Sequence, residues 1–571
     1  MIKLAGYTIQ GLLEQAAESY GDLPALNFVD GEGYSYRELL EKSKTLSAWI
    51  LSCGFFPGDK CAILGENSPN WGLSYMALNR AGCITVPVLP DFSDAEIAAI
   101  LSHAEVKGLF VSARALSKIQ KTIDTNKVTL FNLDTMSIIG DNSSPADKFA
   151  GSDGKHSSME DDVATIIYTS GTTGQSKGVM LTNRNLMWNA EAAVHIPKLR
   201  PGYKMISILP LSHTYEFTIG FLTLLIAGTS LYYLKKPPSA SVLLPALKKI
   251  RPEVMVSVPL LIEKIYRQNI LAKFTKGGLI SAVYKTPPGR KLLNRIAGNK
   301  LKKLFGGRLT FFGVGGAPLS PDVEDFLREA GFPYAIGYGL TETSPLIAGS
   351  NPQNTVPRAI GPVLDGLEVE IREPHPKTGE GVVFVKGPSV MKGYFKEEGM
   401  TAEVLSEDGW FNTGDLGLFD DKGNLFIKGR AKTMILGPSG ENIYPEHIEA
   451  MIDKFEYIEE SLVLEDKGGL VARIRINYED LNEHLHQMAE KAGETVKNAS
   501  DHAGELLDNL KKELNKGLSR FSRIGTVIEQ KEPFMRTPTK KIKRYIYQAL
   551  HHGENPPEEN DHGNTGGAAK V

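Results

Sequence analysis

Residues 163–178 read Val163-Ala164-Thr165-Ile166-Ile167-Tyr168-Thr169-Ser170-Gly171-Thr172-Thr173-Gly174-Gln175-Ser176-Lys177-Gly178. An apolar run passes directly into hydroxyls and glycines closed by a lysine, which predicts a buried strand feeding an anion-binding loop. Gly171 and Gly174 let backbone N–H groups converge on an anion, Thr169, Ser170, Thr172 and Thr173 donate further bonds, and Lys177 supplies charge. A triphosphate end is the natural guest. The Walker pattern G-x-x-x-x-G-K-[ST] fails here, because Lys177 follows Ser176 and precedes Gly178.

Upstream, helix and strand signals alternate. Tyr36 to Cys53 has helical periodicity, Lys60 to Leu64 is a short apolar run, Ser93-Asp94-Ala95-Glu96 is a capping box opening a helix to about Glu105, and Gly108 to Ser112 is the next strand. Such alternation argues βαβ units, an α/β fold and a mainly parallel sheet. Gly140 to Asp162, rich in Ser, Gly and Asp, reads as a surface loop. Phe217 to Leu234 carries no charge for eighteen residues, but Gly228-Thr229 divides it into a buried helix and a strand, Ser230 to Leu234. From Gly361 to Gly429 short β runs such as Val382 to Val385 and Leu425 to Ile427 alternate with Gly turns, as in a small β subdomain. Leu481, Leu485, Met488, Ala492, Val496, Ala503, Leu506, Leu510, Leu514 and Leu518 then mark one or two long amphipathic helices whose stripe faces a core.

Composition sets outer bounds. The chain has 571 residues, a prior of about four domain-sized units. It is 42% hydrophobic and 23% charged, which excludes whole-chain disorder. The net charge of −3 excludes a strongly basic nucleic-acid binder. Residues 552–571 hold four acids against Lys570, so residues 1–551 are neutral, with 63 charges of each sign. That tail has no periodicity and reads as disordered. Cys53, Cys61 and Cys83 have no metal spacing and suit a reducing compartment. The N-terminus lacks the apolar region of a signal peptide. A cytoplasmic protein is expected, with peripheral contact at the inner face of a membrane left open.

Tyr168 to Gly178 resembles the phosphate loop of the adenylate-forming superfamily (acyl-CoA synthetases, firefly luciferase and peptide-synthetase adenylation domains), and further motifs recur in order from about Tyr34 to Arg544. The resemblance implies stacked αβαβα subdomains plus a small β-barrel-like subdomain (about 361–431) in an AMP-binding domain of residues 1–431. A mobile α/β lid of residues 432–551 and the tail 552–571 follow. It implies roles residue by residue. Gly315, Gly316 and Ala317 lie along adenine. In Gly337-Tyr338-Gly339-Leu340-Thr341-Glu342, Tyr338 stacks on the base, Thr341 reaches the α-phosphate and Glu342 holds Mg²⁺, with Thr169 as a second oxygen. Asp415 and Arg430 meet the ribose, and Lys432 is the hinge. In Arg536-Thr537-Pro538-Thr539-Lys540-Lys541-Ile542-Lys543-Arg544 the lysine before the isoleucine, Lys541, is the catalytic candidate, with Lys540 where a glycine is usual. Those clustered cations are also a candidate contact with anionic lipid.

The implied chemistry is ATP-dependent formation of an acyl-adenylate, then thiol attack on it after the lid rotates. Leu209-Pro210-Leu211-Ser212-His213-Thr214-Tyr215-Glu216-Phe217 resembles the segment whose His, or a neighbouring aromatic, borders the acid pocket. It offers no Asp for an amino-acid ammonium. The apolar run after Phe217, with Ser257 to Tyr266, resembles the long-chain fatty acyl-CoA synthetases. Gly440, preceded by Ser439, leads the segment that faces the thiol. Coenzyme A is the expected acceptor, and acyl carrier protein, or release as fatty acyl-AMP, is the alternative. A non-enzymatic fatty-acid-binding protein on this fold would need a damaged constellation, yet Lys177, Glu342, Asp415, Arg430 and Lys541 are all present.

Overall fold

The computed structural model describes the chain except residues 121–126, 140–148, 150, 171–175, 276, 437–441, 467–468, 483–484, 486–498, 520–521, 538–541 and 552–571. The expected tail, and Met488, Ala492 and Val496 of the apolar stripe, lie outside the described residues.

The strand before the phosphate loop is Val163–Ser170. It is third in an eight-stranded sheet of spatial order Gly393–Tyr394, Ser176–Thr182, Val163–Ser170, Ile84–Val88, Lys60–Leu64, Gly108–Val111, Thr129–Asn132, Ser137–Ile138. The central strands pair in parallel, with Ile63 opposite both Pro87 and Phe110 and Thr85 opposite Thr165. Antiparallel pairs close the edges. Parallel strands covered on both faces read as continuous apolar runs, and Cys61, Ala62, Ile63 and Leu64 are all fully buried. A second eight-stranded sheet runs Leu346–Gly349, Tyr334–Gly339, Phe311–Val314, Val254–Ser257, Lys204–Ile206, Ser230–Tyr233, Pro24–Phe28, Gly33–Ser35, again parallel inside and antiparallel at its ends. A four-stranded sheet follows, of Glu368–Arg372, Gly381–Lys386, Phe411–Phe419 and Leu425–Arg430. The α/β reading holds.

Local rules act as expected. Helix Asp94–His103 opens on a complete Ser93/Glu96 capping box, and Tyr36–Ser52 on a Ser35/Glu38 box. Each such cap contributes about 1 kcal/mol. Gly228, at φ +70°, stops helix Thr223–Ile226 before strand Ser230–Tyr233. Upstream of that helix, Tyr215–Leu222 is a π-helix. Phe217, Phe221, Leu225 and Ile226 are fully buried, and Phe217 packs on Trp71 and Tyr75. The run after Phe217 is therefore packed core. Among the described residues no helix is long and apolar enough to cross a membrane.

The described part of the expected surface loop, 151–162, has no regular structure, but it is strapped down. Ser47 Oγ donates to the Gly154 carbonyl at 2.7 Å, and a Cβ on Gly154 would lie 2.4 Å from Ala48 N. Arg80, 2% exposed, binds Asp153 at 2.7 Å and Glu14 at 3.0 Å. A buried guanidinium needs such partners, and the loop exists partly to bring one.

Contacts divide the chain into two compact units. The first holds Met1–Thr169, Ser176–Thr413 and Gly417–Ile427; the second takes Ser170, Gly414–Leu416 and the described residues from Lys428 on. In the second, the sheet Ile458–Asp466, Gly469–Ile476, Ile524–Glu529 packs with helices Pro445–Ile452 and Ala499–Gly517. Ala503, Leu507, Leu510 and Leu514 face this core. The amphipathic stripe is thus a packing face over this helix. All three cysteines are free, Cys61 and Cys83 buried.

Candidate active site

Strand Val163–Ser170 delivers Thr169, half-buried, to the start of the loop. Ser170 ends the strand, and Gly171, Thr172, Thr173 and Gly174 lie outside the described residues. Lys177 stands on the return strand Ser176–Thr182, whose edge partner Gly393–Tyr394 sets Tyr394 opposite Val179. That register puts Lys177 Nζ 4.9 Å from the Tyr394 ring centroid, within cation–π range. The Tyr394 hydroxyl donates to Glu342 Oε1 at 2.9 Å. The Glu342 carbonyl accepts from Met391 N at 2.8 Å. The phosphate-loop lysine and the metal-ligand candidate, 165 residues apart in the chain, thus meet on one buried tyrosine.

The adenine candidates sit at the ends of neighbouring strands. Val314 is the parallel partner of Ile336, so Gly315, Gly316 and Ala317 leave one strand beside Gly337, Tyr338 and Gly339 on the next. Gly315 N donates to the Ser257 carbonyl at 3.2 Å. A Cβ on Gly315 would lie 3.2 Å from Tyr215 Cζ, and one on Gly313 3.3 Å from Tyr215 Oη. Small residues here admit the Tyr215 ring. Gly316 turns the chain at φ +82°. Gly339 has a different reason to be glycine: its Cβ would fall 1.7 Å from the Pro345 carbonyl oxygen. Thr341 and Glu342, both half-buried, form a 3₁₀ turn with Thr343, which Thr343 Oγ1 ties to Leu340 N at 3.0 Å.

His213 is half-buried just before the π-helix, its Nδ1 accepting from Tyr215 N at 3.3 Å. The loop that carries it is clamped by Asn67. Asn67 Nδ2 donates to the Leu209 carbonyl at 2.6 Å and to Ser207 Oγ at 2.9 Å, and its Oδ1 accepts from Leu211 N at 2.8 Å. Ser207 Oγ in turn donates to Glu216 Oε1 at 2.5 Å. Glu216 is fully buried, and burial pushes its carboxyl up to about 8. Gly220 makes room for it, since a Cβ there would lie 2.7 Å from Glu216 Cδ. Sequence reasoning passed over Asn67, Glu216 and Tyr394, and touched Tyr215 only as an aromatic neighbour of His213. Glu216 had a visible signal, as the acid opening an otherwise uncharged run; Asn67 and Tyr394 had none.

In the second unit Arg430 Nε pairs with Asp415 Oδ1 at 3.2 Å. Asp415 is buried and Arg430 about half-exposed. Gly414, at φ +69°, lets its carbonyl accept from Ala431 N at 2.9 Å, which locks the two segments together. Lys432 is exposed in the following turn. Lys540, Lys541, Ser439 and Gly440 lie outside the described residues. Of the terminal cations, Arg536 pairs with Glu460 at 2.5 Å and Arg544 with Glu449 and Glu446. Two of the residues read as a lipid contact are thus committed to internal ion pairs.

Among the described residues no three His, Cys, Asp or Glu side chains cluster as a metal cage. Glu342 is a single half-buried carboxylate whose Oε1 accepts from the Tyr394 hydroxyl; such a carboxylate fits a hard cation completed by oxygens from outside the chain.

Residues 13–395 match the AMP-binding enzyme family. Peroxisomal long chain acyl-CoA synthetase 6 of Arabidopsis thaliana is 30% identical over 94% of this chain and 84% of its own. A long-chain-fatty-acid–CoA ligase of Mycobacterium bovis is 28% identical over 89% of each chain. The chloroplastic long-chain-fatty-acid–[acyl-carrier-protein] ligase AEE15 of Arabidopsis thaliana is 28% identical over 96% of this chain and 86% of its own. ATP-bound MatB from Rhodopseudomonas palustris shares the fold at TM-score 0.73 and 24% identity, covering 95% of this chain and 99% of that one. The AMP complex of O-succinylbenzoate coenzyme A synthetase from Bacillus subtilis does so at TM-score 0.72 and 23% identity, covering 93% and 97%. This chain belongs to the AMP-binding enzymes of the adenylate-forming superfamily, beside its long-chain acyl-CoA synthetases.

Proposed function

We propose that this protein activates a long-chain fatty acid with ATP and transfers the acyl group to coenzyme A. The meeting of Lys177 and Glu342 on Tyr394 carries the reading, in a chain whose relatives are named long-chain acyl-CoA synthetases. A carboxylate resists thiol attack, because its charge repels the nucleophile and oxide is a poor leaving group. In the first step a carboxylate oxygen attacks the α-phosphorus of ATP in line, the bond to the bridging oxygen breaks, and pyrophosphate departs. Lys177 and the loop Thr169–Gly174 hold the leaving phosphates, Thr341 and Lys541 the α-phosphate, and Asp415 and Arg430 the ribose. Tyr338 stacks on adenine between Gly315–Ala317 and Gly337–Gly339. Preorganised donors of this kind stabilise the charge that develops in transfer. Glu342 and Thr169 would hold Mg²⁺, which when bound neutralises phosphate charge.

In the second step the thiol sulfur attacks the acyl carbon of the mixed anhydride and AMP leaves. Lys541 serves the first step, and rotation about Lys432 removes it for the second. His213 borders the acid.

Acid-dependent pyrophosphate release from palmitate, ATP and Mg²⁺, with thioester formed only when coenzyme A is present, is the expected outcome. Release that ignores added acid would sink the reading. A second reading, acyl carrier protein as acceptor, is supported by the likeness to the Arabidopsis carrier-protein ligase; thioester on carrier protein and none on coenzyme A would select it. Lys541→Ala is expected to abolish adenylation while sparing thioester formation from supplied acyl-adenylate.

A further inference from the structure

From Lys264 to Pro321 the chain holds twelve lysines and arginines and no aspartate or glutamate, within a protein of net charge −3. This stretch is a helical excursion between strands Val254–Ser257 and Phe311–Val314. Its helix Gly278–Tyr284 buries none of its residues. Leu279 is 82% exposed and Ile280 51%. The helix is nonetheless held in place: Phe274 and Tyr284 pack ring to ring at 5.0 Å, and the Val283 carbonyl accepts from Thr286 Oγ1 at 2.8 Å.

The next helix, Pro287–Leu304, buries Asn294, Ala297, Gly298 and Leu301. At 100° per residue, Leu292 and Ile296 project from the opposite side; they are 58% and 46% exposed. Lys303 shares that outward side, and Lys285, Lys291 and Arg295 flank it. None of these four cations has an acidic partner among the described residues, whereas Arg290 and Arg267 are engaged by Glu329 and Asp322.

Single exposed leucines are ordinary. Four large apolar side chains on two packed helices, ringed by cations with no acid among them, are a different pattern. It matches interfacial elements, whose apolar residues enter the headgroup boundary while Lys and Arg meet anionic lipid. A second copy of this chain would oppose cation to cation across a two-fold contact, and the phosphates of a nucleic acid would leave the leucines without a partner. We propose that the excursion comprising helices Gly278–Tyr284 and Pro287–Leu304 docks this protein on an anionic lipid bilayer.

Full-length protein is sedimented with phosphatidylcholine vesicles, with and without phosphatidylglycerol. Partition onto the anionic vesicles is expected, lost at 1 M salt, where screening shortens to about 3 Å. Each surface cation contributes about fivefold, so Lys285→Gln/Lys291→Gln/Arg295→Gln is expected to weaken partition roughly a hundredfold. Leu279→Ser/Ile280→Ser is expected to weaken it at least about tenfold. Both variants change exposed side chains only and keep their melting temperature and their vesicle-free ATP–pyrophosphate exchange. Equal partition onto both vesicle types, no partition, or variants that bind like wild type would overturn the proposal. So would a dimer in sedimentation equilibrium that the triple variant dissolves. Partition is read without catalysis, so a failure of the proposed activity leaves this result separate.

Discussion

The Tyr394 hydroxyl donates to Glu342 Oε1 at 2.9 Å. The same ring faces Lys177 Nζ, so one buried side chain orients an anion and a cation of the proposed phosphate site. Hydrogen bonds to charged groups contribute about 1.5–3 kcal/mol. Tyr394→Phe keeps the ring and loses that bond. ATP–pyrophosphate exchange is expected to fall by at least tenfold in kcat/KM for ATP, with little change in melting temperature. Unchanged exchange would show that the contact serves packing alone.

Gly339 tests whether a motif glycine is there for nucleotide or for backbone. With its Cβ 1.7 Å from the Pro345 carbonyl, Gly339→Ala must displace the 3₁₀ turn that carries Thr341 and Glu342. Exchange activity is expected to drop by two orders of magnitude or more, together with a loss of stability of about 2 kcal/mol or more, in the range of overpacked sites. An active, stable Ala variant would refute the close approach.

Asp415 and Arg430 pair with one another at 3.2 Å. Asp415 is buried and Arg430 about half-exposed, and Asp415→Asn keeps the side chain's shape and an acceptor oxygen, so it is expected to cost about 1–2 kcal/mol of stability. If Asp415 receives the ribose hydroxyls, the KM for ATP rises about tenfold or more. Steady-state kinetics beside a denaturant titration separate the two roles. Lost stability with an unchanged KM would make the pair structural.

Glu216 supplies a pH test. Its carboxyl is raised from 4.5 to about 8 by burial, so between those values the folded state holds a proton that the unfolded state has released. Stability is therefore present in full below about pH 4.5 and declines as pH rises through 8, by at most about 1.4 kcal/mol per pH unit from this group. Glu216→Gln mimics the protonated acid beside Ser207 and should flatten that limb, leaving the variant more stable than wild type at pH 8. Parallel urea midpoints for both proteins from pH 5 to 8 would sink this assignment.

Local chemistry made much of the scaffold legible. Ser93 and Glu96 form their capping box, Gly228 stops its helix, and Lys60–Leu64, Gly108–Val111 and Ser230–Tyr233 are strands. The cap and the helix stop are decided within a few residues, and the strands show in the sequence as short apolar runs. The described part of the 140–162 loop, 151–162, is irregular and mostly surface as expected, but its tie to Arg80 was not legible, because the burial of that cation is a tertiary fact.

What the sequence by itself determined, then, was the alternation of strands and helices, the strand-to-loop transition at Thr169–Lys177, and family membership through motifs that each occupy one short stretch. Only the tertiary structure decided that Tyr394 joins Lys177 to Glu342 and that Asn67 clamps the His213 loop. It also decided that Glu216 is buried beside Ser207, and that Leu279, Ile280, Leu292 and Ile296 face outward. The reason is physical. Hydrogen bonding and burial depend on distance in space, and parallel sheet pairing brings together residues that no local period connects.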